Sequence, residues 1–203
     1  MIKRAVLALA VLVVGLTAVV VSRPSTYRVE RSVRIAAPVE IPFGLVNDFH
    51  RWQYWSPWES PEPKPRRSFD GTYAGPGALY TWSGGAPSGR GSLSLVESEL
   101  YSRILIHAEL LPPRRVTGTF TFTFTPMAGG LSLRWEVDGQ RGFTDKAVAL
   151  FTDSEARLGA ELEKGLASLQ ALAETEVKNR AERDVLIKAR DEAQRTAPPP
   201  PAP

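Results

Sequence analysis

Residues 48–58 read Asp48-Phe49-His50-Arg51-Trp52-Gln53-Tyr54-Trp55-Ser56-Pro57-Trp58. Three of the chain's five tryptophans, a phenylalanine and a tyrosine fall within this short run. Aromatic side chains bury large areas, so a segment this dense must face something apolar. It holds no metal-ligand spacing and no glycine-rich phosphate loop. Its expected place is at one end of a hydrophobic core or cavity, and the flanking sequence shows what builds that core.

Downstream the chain reads as strands. Residues 69–73 and 78–82 are short candidates, separated by the turn Gly75-Pro76-Gly77. Residues 60–67 carry three prolines among charges and read as a loop, and residues 83–91 hold four glycines and read as a long hairpin loop. Residues 92–97 and 103–110 follow around a turn near Ser98, and residues 111–114 form another turn. Thr119-Phe120-Thr121-Phe122-Thr123-Phe124-Thr125 then alternates with period two, phenylalanines on one face and threonines on the other. After Ala128-Gly129-Gly130, Leu131, Leu133, Trp135 and Val137 share a face against Ser132, Arg134, Glu136 and Asp138. This is an antiparallel meander with one apolar face.

Upstream, Tyr27, Val29, Arg31, Val33 and Ile35 alternate along a further strand that ends at Ala36-Ala37-Pro38. Pro38 suits the first turn of a helix. Residues 39–47 read as a short helix, weakened by Pro42 and Gly44.

Near Thr152 the period becomes helical. Leu158, Leu162, Leu166 and Leu169 recur at i, i+4, i+8 and i+11, with Leu172 beside them. Thr152, Asp153 and Ser154 are each cap candidates. The leucine stripe needs a partner and the phenylalanine face needs a cover, so helix against sheet, an α+β domain, is the economical arrangement. Beyond Ala173 the stripe fades. Glu174/Lys178, Glu176/Arg180, Asp184/Lys188 and Asp191/Arg195 are acid-to-base pairs at i, i+4, each supporting a solvated helix by about 0.2–0.5 kcal/mol. Val177, Val185 and Leu186 are too few for coiled-coil heptads. Residues 197–203 are proline-rich and read as extended or disordered.

Composition narrows the chemistry. Among 203 residues there is no cysteine, which excludes disulfides, thiolate nucleophiles and zinc sites built on sulfur. The only histidines are His50 and His107, and no carboxylates cluster for a metal. The net charge of +3, from 25 basic and 22 acidic residues, is spread out and gives no nucleic-acid footprint.

At the start, Lys3 and Arg4 precede seventeen uncharged residues, 5–21, of which eleven are Leu or Val. As a helix these span roughly 26 Å, just under the ~30 Å hydrocarbon core. At about −0.3 to −0.6 kcal/mol per Leu or Val, insertion is favoured by roughly 5 kcal/mol. A membrane anchor over residues 1–22 is therefore expected, with a cleaved signal as the alternative; no Ala-x-Ala site follows. Lys3 and Arg4 place the start of the helix in the cytoplasm and the domain on the extracytoplasmic side, against Arg23, Arg28, Arg31 and Arg34 on the far flank.

Val33-Arg34-Ile35-Ala36-Ala37-Pro38 followed by Trp52-x-x-Trp55-Ser56-Pro57-Trp58 resembles the START-like helix-grip (SRPBCC) superfamily, within it the polyketide cyclase/dehydrase-like group. Residues 71–82, 135–139 and 159–169 add to the likeness, which covers residues 27–173. The charged extension 174–196 and the tail 197–203 lie outside it. The resemblance implies a curved antiparallel sheet of six or seven strands gripping the long C-terminal helix, with a hydrophobic cavity between them. Members bind lipids, sterols, polyketides or other apolar molecules, and some catalyse on them. No family-wide catalytic motif exists to carry over.

The expected ligand-lining set is Trp52, Trp55, Trp82, Phe122, Phe124 and Trp135, with Leu158 and Leu162 from the helix; a filled core is the competing reading. His107 is expected at the surface. His50 is expected to be hydrogen-bonded and structural, Arg134, Glu136 and Asp138 to form a solvated face, and Asp145 and Lys146 to pair or cap. No catalytic residue, cofactor or metal is expected. The function read from the sequence is a single-pass, membrane-anchored domain binding a hydrophobic small molecule or lipid. Its alternatives are a cyclase/dehydrase-like enzyme, which needs an acid/base pair in the cavity, and an anchored scaffold with a filled core.

Overall fold

A computed structural model describes residues 2–58, 65–84, 89–110 and 116–196. The expectations for residues 60–64, 85–88, 111–114 and 197–203 lie outside the described residues. The chain opens with helix α1 (Ile2–Ser22) and strand β1 (Thr26–Ile35). Helix α2 (Glu40–Asn47) leads directly into a 3₁₀ turn, Phe49–Tyr54. Strands β2 (Arg66–Gly71), β3 (Ala78–Ser83), β4 (Arg90–Glu99), β5 (Arg103–Leu110), β6 (Val116–Met127) and β7 (Gly130–Gln140) follow. Helices α3 (Phe143–Val148) and α4 (Ser154–Thr196) end the described chain.

The seven strands form one antiparallel sheet in the order β1-β7-β6-β5-β4-β3-β2. The register sets Phe122 of β6 between Ile104 of β5 and Trp135 of β7, with Phe120 opposite Val137 and Phe124 opposite Leu133. Period-two alternation thus delivers one continuous apolar face. On the other face Arg28 holds Asp138 at 2.7 Å and Glu136 at 3.6 Å, so the solvated charge face is there as expected. Burial, reinforced by the neighbouring Asp138, holds the Glu136 carboxyl above its ordinary range against the pull of Arg28.

Helix α4 packs along β1. Asp153 caps it, its Oδ1 accepting the Ala156 N–H at 2.9 Å. Leu162, Leu166, Leu169 and Ala173 are fully buried and Leu158 and Leu172 half-buried, so the leucine stripe is the face that meets the sheet. Packing against the core continues to Val177, one turn beyond the point at which the stripe fades in the sequence. Further on, Glu176 and Arg180 form the expected pair at 3.1 Å.

Several local expectations are corrected. Strand β2 covers Arg66–Gly71, where a loop through residue 67 and a strand over 69–73 were expected. It is an edge strand, and an edge strand tolerates the two arginines that made it read as loop. The turn after β4 lies at residues 100–102 instead of at Ser98, because Ser98 still pairs with Ile104 and Tyr101 adopts φ 60°. Helix α3 is absent from the sequence reading, being too short for a periodic pattern; Asp145 closes its first turn by accepting the Gly142 N–H at 3.2 Å.

Among the described residues, no helix is long and apolar enough to cross a membrane. The side chains of residues 2, 5, 6 and 8 of α1 lie outside the described residues. The expected transmembrane helix is therefore not shown, while α1 itself is a 21-residue helix that exposes Leu7, Leu9, Val11, Leu12, Val13, Val14, Leu16, Val19 and Val21.

Glu174, near the middle of α4, ties the helix to the Ala-Pro segment after β1. Its Oε1 accepts the Ala36 N–H at 3.1 Å and the Gln170 amide at 3.0 Å. The Gln170 bond, then the Ala36 bond, holds the Glu174 carboxyl below its ordinary range. A depressed folded-state value contributes stability that is present above the unfolded carboxylate value, about 4.3, and is lost as pH falls through the folded one. Urea titrations at stepwise pH are expected to show Glu174→Gln losing less stability than the wild-type chain on descent from pH 5 to pH 3. Parallel acid profiles would exclude this clamp.

Candidate functional site

The candidate site starts from the tryptophan-rich segment. Asp48 opens the 3₁₀ turn, its Oδ1 accepting the His50 backbone N–H at 2.9 Å. The turn points Trp52 and Trp55 back at α2, where Trp52 Nε1 donates to Val46 O at 2.9 Å and Trp55 Nε1 to Leu45 O at 3.1 Å. The final carbonyls of a helix have no intrahelical donor, and a buried indole N–H needs an acceptor, so each satisfies the other. The rings then project onto the sheet. Trp52 meets Phe122 at 6.1 Å, Trp55 meets Trp135 edge-on at 5.7 Å, and Phe122 stacks on Trp135 at 4.8 Å.

All eight residues expected to line a ligand site belong to or pack against one core cluster. Trp52, Trp55, Phe122 and Trp135 touch directly. Phe124 joins through Phe43 at 5.3 Å, and Trp82 through Tyr80 at 5.6 Å. Leu162 is buried on the helix side, whereas Leu158 and Trp82 are half-buried. The described clefts lie elsewhere: one of about 520 Å³ beside Arg23, Lys146 and Ser154, and one of about 280 Å³ beside Tyr27, His107 and Thr119. Burial raises the Tyr27 phenol above its ordinary value, against the Arg141 cation lying 5.0 Å over its ring.

Two residues of the site lie outside the expected lining set. Trp58 stacks on Phe120 at 5.4 Å and meets Trp135 at 5.3 Å, so it extends the cluster to half-buried ground. Its place three residues after Trp55, across Ser-Pro, was the available signal. Gly165 lies buried on α4 where an added Cβ would come within 2.7 Å of Pro57 and 2.9 Å of Trp135. A glycine inside the leucine stripe was its signal.

The interior polarity is sparse. Among the described residues no polar or charged side chain is buried. Two buried indole donors, Trp82 Nε1 and Trp135 Nε1, have no hydrogen-bond partner there. An unsatisfied buried donor costs about 1–3 kcal/mol, and native interiors seldom retain one without a use for it. His50 stands apart: its Nδ1 lies 2.9 Å from Asp48 Oδ1, and its ring is stacked between Phe69 at 4.2 Å and Tyr73 at 4.4 Å. Phe69 and Tyr73 are both exposed, so the dyad sits at the surface in a packed slot. His107 is exposed, as expected. No group of three or more His, Asp or Glu among the described residues is placed to hold a metal ion.

Comparison with known proteins matches residues 26–174 to the family described as polyketide cyclase / dehydrase and lipid transport. Comparison with curated proteins gives no match. Similar solved structures include protein CV1439 from Chromobacterium violaceum, at 19% identity and TM-score 0.52, covering 74% of this chain and 99% of that one. Protein MLL2253 from Mesorhizobium loti is similar at 19% identity and TM-score 0.52, covering 72% and 95%. The di-domain ARO/CYC StfQ from the steffimycin biosynthetic pathway is similar at 16% identity and TM-score 0.57, covering 76% of this chain and 53% of that one. At these identities the likeness is one of fold.

The Gly165 contact yields a paired test. In a helix interior Gly→Ala ordinarily stabilises by about 0.5–1 kcal/mol. At Gly44 of α2 the nearest atom to an added Cβ is Arg51 Nη1 at 3.9 Å, so Gly44→Ala is expected to follow that rule. Gly165→Ala must displace the Pro57 and Trp135 rings, and overpacking costs about 1–3 kcal/mol. Chemical denaturation is expected to show Gly44→Ala stabilised and Gly165→Ala destabilised. Equal stabilisation of both would mean that α4 does not press on Trp135.

Proposed function

The chain belongs to the polyketide cyclase / dehydrase and lipid transport family, and from that premise we propose that it is a membrane-attached binding domain for an apolar molecule carrying a hydrogen-bond acceptor. The observation that carries the reading is two buried indole donors, Trp82 Nε1 and Trp135 Nε1, that have no acceptor among the described residues, next to a core of apolar side chains. A carbonyl or hydroxyl on a lipid or polyketide-like ligand satisfies such a donor, while the surrounding rings supply the apolar contact. Trp135 is the central anchor, between Phe122, Trp55 and Trp58. The half-buried Trp58, Phe120, Trp82 and Leu158 form the ground over which a ligand enters.

The enzymatic alternative needs an acid/base group converging on the ligand. The Asp48–His50 pair is the acid/base arrangement nearest the aromatic cluster, and its stacking between two exposed rings supports a structural role. Binding is therefore favoured over chemistry.

Membrane attachment rests on α1. Nine large Leu and Val side chains exposed on one helix form an apolar surface that water does not tolerate without a partner. Lys3 and Arg4 before this surface support a cytoplasmic start and an extracytoplasmic domain.

Two experiments test these readings. Organic extraction of the full chain purified in detergent, followed by mass spectrometry, is expected to release an apolar compound bearing an oxygen acceptor. Trp135→Phe keeps a ring and removes the donor, and is expected to weaken binding of that compound about tenfold, equivalent to about 1.4 kcal/mol. An empty extract, or unchanged affinity in Trp135→Phe, would overturn the assigned site. The full chain is expected to stay with membranes through carbonate and high-salt washes, with the domain protected from protease on the cytoplasmic side. A shortened chain in the soluble fraction would identify residues 1–22 as a cleaved signal.

A further inference from the structure

We propose that the corner made by the end of α1, α3 and the start of α4 is a docking ledge for an anionic phospholipid surface, with lipid phosphates held by Arg23 and Lys146; the proposal rests on the reading that α1 attaches the chain to a bilayer. Three observations meet at this corner.

The first is apolar exposure. Phe143, Val148 and Phe151 are 55%, 57% and 82% exposed. These side chains occupy α3 and the turn immediately after it, and exposed rings grouped this way mark an interaction surface.

The second is unpaired charge. The cleft of about 520 Å³ is lined by Arg23, Arg141 and Lys146 against Asp153 and Glu155, with Asp145 beside it, so the charges of the corner balance overall and what counts is which of them are paired. The acids are engaged. Asp153 caps Ala156, Glu155 accepts Arg141 Nη2 at 2.7 Å, and the neighbouring Asp145 accepts the Gly142 N–H. Arg23 and Lys146 have no ion pair among the described residues.

The third is continuity. The apolar surface of α1 ends at Ser22, Arg23 follows and lines the cleft, and α1 packs on α3. An apolar helix, a basic cleft and an apolar ledge thus lie in sequence across one corner. That is the arrangement of an interfacial segment: phenylalanines enter the acyl boundary while Lys and Arg meet headgroup phosphates. A bilayer surface supplies the missing anions.

The chain has no cysteine, so a single introduced one gives a clean reporter. Full-length Val148→Cys, carrying an environment-sensitive fluorophore, is reconstituted into phosphatidylcholine vesicles containing nitroxide-labelled lipid, with and without phosphatidylserine. Full-length Thr17→Cys reports on α1 in the same vesicles. Both labels are expected to be quenched, with quenching at position 148 stronger when phosphatidylserine is present. Adding Lys146→Glu or Arg23→Glu to the Val148→Cys chain is expected to raise the phosphatidylserine needed for half-maximal quenching about fivefold, while the position-17 signal holds. Quenching at 17 without quenching at 148 overturns the ledge and leaves α1 attached. Quenching at neither overturns both readings. Equal quenching at 148 in both lipids and in both charge variants overturns the phosphate role. Concentration-dependent protection of position 148 in vesicle-free detergent would identify a second copy as the occupant and overturn the proposal.

Discussion

Two hydrogen bonds from indoles to helix carbonyls organise the domain. α2 ends against the core, where its last carbonyls have no intrahelical donor. Trp52 and Trp55 supply the donors. The same bonds remove the polar obstacle to burying two large rings. Once both indoles are fixed, their faces are committed to Phe122 and Trp135, and Phe43 of α2 is brought onto Phe124. The helical layer and the sheet are thereby locked into one register.

Trp135 shows what this leaves undone. It has the same chemistry as Trp52 and Trp55 and is fully buried, yet no acceptor meets its N–H among the described residues. Its face is stacked on Phe122 and Gly165 lets α4 come close beside it. Packing around this indole is close, and its N–H is the group left without an acceptor among the described residues.

α4 joins the two proposed functions. Ser154 and Glu155 line the basic cleft beside α1, Leu158 packs at the margin of the core, and Gly165 lies against Trp135. From Ser154 to Gly165 the helix rises about 16 Å. An apolar molecule leaving a bilayer at the cleft would meet the aromatic interior within that distance.

Much of this architecture was legible in the residue pattern, because period and composition are local properties. The Thr-Phe alternation of β6, the leucine stripe of α4 and the Ala-Pro to Trp-rich segment each state their own conformation, and together they indicated a helix-grip domain. The apolar faces of β6, β7 and α4 follow from the same local pattern. Local pattern carries no information on what lies opposite a face. It did not reveal that Trp52 and Trp55 donate to α2 while Trp135 finds no acceptor among the described residues, that Gly165 admits Trp135, or that Trp58 closes over Phe120. Nor did it show β2 as an edge strand, or α3 bringing three exposed apolar side chains beside the end of α1. Those facts depend on segments far apart in sequence meeting at distances of a few ångströms, and only the folded chain sets those distances.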